Sequence, residues 1–320
     1  MSSHRVQKLD LRKGQNPGCK KCQNRDERKE FHENALCKEV SSTMDGLPVR
    51  CVGGWAYDKI YRLAQYFGIF AQGMKGKWSS LNYIEICSGP GRCVIYENGE
   101  EIDGTSLAII NHRKFDCIGK ALFVDVNTEV VDVLNKRIEA LGASSKAKAV
   151  VGDYQNVSSI LTEIRKLPAN NLSLLFVDPT ECNVPFHAIQ SIISTLGQVD
   201  LIVNVSIGTD VSRNVRRAIL EPGFAKTKGK YEAFLGSPGF LSQDSVIEAA
   251  KKDQSNALRK LFADAYQSKL ADLGYSHFDA KLIRHYYYLL FASKHSKGLD
   301  FWNKACKYAP SGQKELSLEF

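Results

Sequence analysis

The chain has 320 residues, of which 43% are apolar and 24% charged, and its 43 Lys plus Arg against 35 Asp plus Glu leave a formal net charge of +8. That length can bury one large core, or one core with an appendage. No apolar run approaches the roughly 18–20 residues that span a bilayer, so no membrane association is expected. The N-terminal MSSHRVQKLDLRKG has no apolar core that could act as a signal peptide, and a cytoplasmic location is the default expectation. Nine cysteines are too few for a disulfide scaffold in a chain of this size and read as buried thiols or metal ligands. The excess of positive charge suits a polyanionic partner such as nucleic acid without requiring one.

Residues 1–52 are polar, rich in Lys and Cys, and poor in periodic apolar positions, and are read as a Cys/His-rich basic module. Within GCKKCQNRDERKEFHENALC, the Cys19-x-x-Cys22 turn bites one metal ion easily, and His32 and Cys37 would complete a tetrahedral zinc site. Metal would then supply the folding energy that so few apolar residues cannot. Cys51 is the reserve ligand, and the alternative is a basic arm with incidental thiols. Lys20, Lys21, Arg25, Arg28 and Lys29 would give such a knuckle a phosphate-facing surface.

The main domain is expected over 53–320. From Trp55 to Phe70, Ile60, Leu63, Phe67 and Phe70 recur at helical spacing. Short apolar runs follow at 81–87, 121–126, 148–153, 172–178 and 200–206, with helical patterns at 128–141 and 157–167 between them. Near-continuous Val/Ile/Leu/Phe strands separated by helices predict an α/β, doubly wound, Rossmann-like parallel sheet covered on both faces. Residues 222–280, opening on the Gly-, Pro- and Lys-rich EPGFAKTKGKYEAFLGSPGF, read as a largely helical insertion. KLIRHYYYLLFASK (281–294) is then a strand and GLDFWNKAC a terminal helix. Arg213, Arg216, Arg217, Lys226, Lys228 and Lys230 form a second basic set, relieved in the sequence by Glu221.

Four of the five runs end in or just after an acid: Glu85, Asp125, Asp153 and Asp178. In an open parallel sheet the carboxyl ends of the strands line the edge where ligands bind. The competing reading is that such acids cap the next helix.

The stretch YIEICSGPGRC (83–93) ends an apolar strand on Glu85 and breaks into Ser88-Gly89-Pro90-Gly91. A phosphate loop would need Gly-Lys-Ser/Thr, and Arg92-Cys93 stand there instead. A dinucleotide fingerprint would need a small residue where Val94 stands and a ribose acid well before Asp125. The third possibility is S-adenosylmethionine on a class I methyltransferase sheet. There Glu85 would face the ammonium of the methionine part, and Ser88, Gly89 and Gly91 would let its backbone approach. Asp125, followed by Val126, would accept the ribose hydroxyls. Asp153 and Tyr154 would meet the adenine, and Asp178-Pro179 would lie beside the sulfonium.

These motifs, with GEEIDGTSLAI (99–109), FVDVN, GDYQNV, LLFVDPTECNVPF and YYYLLFASKHSKGLDFW, resemble the three-Cys-motif partner family from about Trp55 to Trp302. The resemblance implies a class I methyltransferase fold, S-adenosylmethionine as cofactor, and a radical-SAM-type three-Cys protein as partner. Amino-methylating enzymes of this fold often carry Asp/Asn-Pro-Pro-aromatic at the fourth strand, where the acid or amide and the first Pro carbonyl accept hydrogen bonds from the target amine. Here the motif is Asp178-Pro179-Thr180-Glu181, without the second Pro or the aromatic. Asp178 and Pro179 are the expected acceptor-orienting pair, and Glu181 a candidate general base. The expected function is a methyltransferase acting on nucleic acid; the alternative is a co-catalytic or non-catalytic binding subunit of the three-Cys protein.

Overall fold

The computed structural model describes residues 11–19, 32–33, 36–206, 214–284 and 286–314. The chain divides into two compact units, Met1–Val151 with Asp300–Phe320, and Gly152–Leu299. The fold class is α/β, with parallel strands flanked by helices in a Rossmann-like manner.

In the first unit the chain runs through short strands β1 (Lys13–Gln15), β2 (His32–Glu33), β3 (Leu36–Cys37) and β4 (Arg50–Val52) into helix α1 (Trp55–Met74). β5 (Ser80–Ile86), β6 (Arg92–Ile95) and β7 (Glu100–Asp103) lead to α2 (Thr105–Ile110), then β8 (Lys120–Asp125), α3 (Thr128–Ala140) and β9 (Ala147–Val151). β5, β8 and β9 are adjacent and parallel, with Glu85 opposite Phe123 and Asp125 opposite Val151. Their apolar residues are buried on both faces of β5 and β8, as the unbroken hydrophobic runs require. Asn127 caps α3 by accepting from the N–H groups of Glu129 and Val130, which fixes where the chain turns after β8. α1 buries Ile60, Leu63, Phe67 and Phe70, and its Tyr66 meets Trp302 at 5.8 Å between ring centres.

A second sheet in this unit has the order β1-β7-β6-β4. Its centre is an antiparallel hairpin, β6–β7, with Cys93 opposite Ile102 and Gly99 in the turn at φ +71°. The expectation that residues 1–52 form a module apart is revised over their described part. β1 pairs with β7 and β4 with β6, and Leu11 and Val52 share one apolar cluster with Ile60, Cys93, Ile95 and Ile102. The N-terminal segment has too little apolar surface for a core of its own and uses that of the hairpin. Beneath it, Arg92 pairs with Glu101 and Asp103 at 2.7 Å each, all three almost wholly buried. Burial pushes the Asp103 carboxyl up despite Asn111 and Arg92. Glu101 is likewise penalised by burial, but hydrogen bonds from Ser42, Thr43 and Arg92 bring it below its ordinary value.

The second unit contains α4 (Ser158–Ile164), β10 (Asn171–Val177), α5 (Phe186–Leu196) and β11 (Val199–Val205). Beyond them come α6 (Arg216–Leu220), α7 (Ala225–Leu235), α8 (Asp244–Lys251) and α9 (Ser255–Ala271). β12 (His277–Ile283) and β13 (Tyr287–Ser293) follow, and α10 (Ser296–Ala305) runs across the boundary between the units. β10 and β11 are parallel, while β13 runs antiparallel to both β11 and β12. The single strand expected over 281–294 is therefore a hairpin, turned at Arg284 with φ +43°. The insertion is helical as read, but as separate short helices packed through Tyr231, Phe234, Phe262 and Tyr266. The Tyr266 hydroxyl is fully buried, and burial, with Cys182 nearby, drives its pKa upward. No helix among the described residues is long and apolar enough to cross a membrane.

Candidate functional site

The turn after β5 is built from backbone that only unusual residues tolerate. Cys87, Gly89 and Gly91 have φ of +66°, +64° and +97°. A Cβ at Gly91 would stand 3.0 Å from both Leu107 and Leu134, so this glycine is required by packing as well as conformation. The Gly89 N–H donates to Asp125 Oδ2 at 3.0 Å, and the Asn127 N–H to Asp125 Oδ1 at 3.1 Å. Asp125 thereby ties the glycine turn to the end of β8. Ser88 is held by its N–H on the Val124 carbonyl, while its Oγ is buried and finds no partner among the described residues. Val126, beside Asp125, is 52% exposed.

Arg137 secures the turn from behind. Its guanidinium donates to the Pro90 carbonyl at 2.6 Å and grips Asp45 through both oxygens. Burial alone would raise the Asp45 pKa, but the Arg137 hydrogen bond, the Leu47 N–H and the Arg137 charge hold it below the ordinary carboxylate range.

Glu85 sits differently from the expectation. It is wholly buried, accepting from the Tyr83 hydroxyl at 2.8 Å and from the Thr105 hydroxyl at the start of α2. An orphaned buried hydroxyl, a bare glycine face and a ribose-type acid at a strand end fit an adenosyl ligand at Ser88, Gly89, Gly91, Asp125 and Val126. Glu85 fits a supporting role, because its carboxylate is engaged with interior hydroxyls.

In the second unit, Asp153 is exposed, and its Oδ1 accepts from the Gln155 N–H in a local turn. The Tyr154 hydroxyl accepts from Asn183 at 3.0 Å. After β10, Asp178 is 7% exposed and takes Asn204 Nδ2 at 2.9 Å, and the same amide reaches the Pro179 carbonyl at 3.4 Å. Asn204 Oδ1 is buried and unpartnered among the described residues. Glu181 is exposed and ion-paired with Lys230 at 3.1 Å, so as a base it would work beside a fixed cation. Cys182 is fully buried and His187 exposed.

Sequence reasoning missed Arg50, Thr105, Arg137 and Asn204. Only Asn204 left a signal, as an amide near the end of the fifth apolar run. The others depend on pairings between distant segments. The second basic set is more neutralised than its sequence suggests: Arg216 meets Asp253 at 3.4 Å, Arg217 meets Glu221 at 3.1 Å, and Lys230 meets Glu181. Arg213 lies outside the described residues.

Of the expected metal ligands, Cys19 and Cys37 are partly buried, unbridged, and packed on the same small cluster of Val40, Val49 and Val94. The β2–β3 ladder sets His32 opposite Cys37 along the backbone. Cys22 and the side chain of His32 lie outside the described residues, and among the described residues no group of three or more His, Cys, Asp or Glu is gathered to hold a metal ion.

No protein family's sequence profile matches the chain, nor does any curated protein. Solved structures with a similar course include an O-methyltransferase from Bacillus cereus in complex with SAH, 12% identical over 76% of this chain and 82% of that one, at a TM-score of 0.40. The O-methyltransferase TomG from Streptomyces achromogenes, in complex with SAM, is 12% identical over 72% and 79%, at 0.38. The B. subtilis tRNA methyltransferase TrmK is 10% identical over 72% of this chain and 65% of its own, at 0.33. At such scores these likenesses carry no argument about function. The fold class rests on the strand order and direction given above.

Proposed function

We propose that the chain is an S-adenosylmethionine-dependent methyltransferase. The observation that carries this reading is the glycine turn after β5, tied by the Gly89 N–H to Asp125 at the end of the neighbouring strand, with the buried Ser88 hydroxyl unsatisfied beside it. In this reading Ser88, Gly89 and Gly91 receive the cofactor's backbone-like end, and Asp125 with Val126 receives the ribose. When bound, the cofactor supplies a methyl group made electrophilic by its sulfonium. Asp153 and Tyr154 are assigned to the adenine. Asp178 and the Pro179 carbonyl are assigned to orient the acceptor through the hydrogen bonds they can accept, with Asn204 fixing the carboxylate and Glu181 a candidate base.

The net charge of +8 favours a nucleic acid as the molecule carrying the acceptor. Zinc on Cys19, Cys22, His32 and Cys37 is supported by the shared cluster under Cys19 and Cys37 and by the register of His32 with Cys37. A second reading, a binding subunit for a radical-SAM-type three-Cys protein, is favoured by the Asn204 amide already occupying both Asp178 and Pro179.

Calorimetry with S-adenosylmethionine and S-adenosylhomocysteine tests the first reading. Submillimolar binding by the full chain, abolished in a folded Asp125→Ala variant, is expected, and no binding to the wild type overturns it. Binding without methyl transfer to DNA, RNA or protein, together with capture of a three-Cys protein, would select the second reading.

A further inference from the structure

Resting on the cofactor reading above, we propose that Arg50 binds the carboxylate at the amino-acid end of the cofactor and makes the site selective for ligands that carry it. S-Adenosylmethionine ends in both an ammonium and a carboxylate. The residues assigned around the turn offer acids, a hydroxyl and backbone, and a carboxylate placed near Asp125 would be repelled without a cation to offset it. Glu85 does not alter this balance, because it is enclosed with the Tyr83 and Thr105 hydroxyls.

Two guanidinium groups lie against the glycines of the turn. Arg137 reaches Gly91, with its Cδ 3.4 Å from where a Cβ would stand. Its N–H groups are committed to Asp45, Pro90 and Leu47. Arg50 lies on the other glycine. Its Nη1 is 3.6 Å and its Cδ 3.9 Å from where a Gly89 Cβ would stand, so stem and head both run along the bare face of that residue.

The placement follows from register. β4 pairs in parallel with β6, setting Arg50 opposite Cys93, two residues past Gly91. A side chain at Gly89 would occupy the space between the turn and this guanidinium; glycine leaves it open. Ser88, next in the chain, is 5% exposed, and its Oγ has no partner among the described residues, so a polar ligand atom at this turn would satisfy it. A planar fork of N–H donors beside open backbone suits a carboxylate better than a phosphate-sized group, because it can engage both oxygens in one plane. The N-terminal segment thus contributes directly to the ligand site.

The test is calorimetry on the full chain with S-adenosylmethionine, its decarboxylated analogue, and 5′-methylthioadenosine, which lacks the amino-acid end. Wild type should bind S-adenosylmethionine at least tenfold more tightly than the decarboxylated analogue. Arg50→Gln should lose tenfold or more for S-adenosylmethionine while the other two ligands stay within about twofold, and Arg50→Lys should fall between. Circular dichroism and melting of Arg50→Gln and of Arg50→Met, which keeps the stem, establish that the turn is intact. Equal affinity of the wild type for the first two ligands overturns the inference without needing any variant. So does an equal weakening of all three ligands in Arg50→Gln, or no weakening at all. If the wild type binds none of the three, the methyltransferase reading falls and this inference falls with it.

Discussion

β5 and β10 each end near an acid, yet Glu85 and Asp178 do different things. Glu85 is the residue before the last in its strand, so its carboxylate lies within the sheet's layer of side chains and is satisfied by two interior hydroxyls. Asp178 follows the last residue of its strand and is held by one amide, whose own oxygen is left unpartnered among the described residues. An acid inside the ladder is enclosed by the helices that cover a parallel sheet; an acid one step beyond it stands at the edge where ligands bind. A shift of two positions relative to the strand end separates a supporting carboxylate from a working one.

The comparison breaks most directly at Glu85. Glu85→Ala should cost about 3 kcal/mol in chemical denaturation, because it leaves the Tyr83 and Thr105 hydroxyls buried without their acceptor and opens a cavity. A variant as stable as wild type would place Glu85 among the ligand-facing acids after all.

The same unit offers a pH test of how tightly its interior is closed. Burial, with Arg113 and Lys114 nearby, lowers the His112 pKa to about 4, and the ring packs edge-on against Phe67 at 5.3 Å. Its folded pKa lies below the unfolded one, so stability is fully present above about pH 6.5 and is lost as pH falls from there towards 4. The loss should be on the order of 2 kcal/mol, reduced from the full linkage because part of the ring reaches water. Urea titrations between pH 7 and 5 should show it, and His112→Gln should flatten the profile in that window.

The smallest stability effect is expected at the other end of the comparison. Asn204→Ala should cost only about 1 kcal/mol while lowering methyl transfer far more, since it frees Asp178 to move without emptying the core. A loss of stability with no loss of activity would make Asp178 a supporting acid like Glu85.

Much of the architecture was legible in the chain. The apolar runs at 81–87, 121–126, 172–178 and 200–206 are strands within a residue or two, because continuous Val, Ile, Leu and Phe suit strands buried on both faces. The β6–β7 hairpin was missed although Asn98-Gly99 announces it, since Arg92 and Glu101 read as polar until they pair inside the sheet. KLIRHYYYLLFASK read as one strand because aromatic and β-branched residues run unbroken through a turn that needs positive φ at Arg284. At the candidate site, Gly89, Gly91 and Asp125 were legible from local pattern, whereas Arg50, Arg137 and Asn204 were not.

The sequence by itself determined an α/β sheet, a glycine turn after its first long strand, and acids at successive strand ends, because hydrophobic period and bare backbone are local properties. Only the tertiary structure decided which acid is enclosed and which stands at an edge, that the N-terminal segment joins the hairpin sheet, and which arginine lies along the open glycine. Those outcomes depend on strand register and on packing between residues tens of positions apart, where a single step moves a side chain from one face to the other.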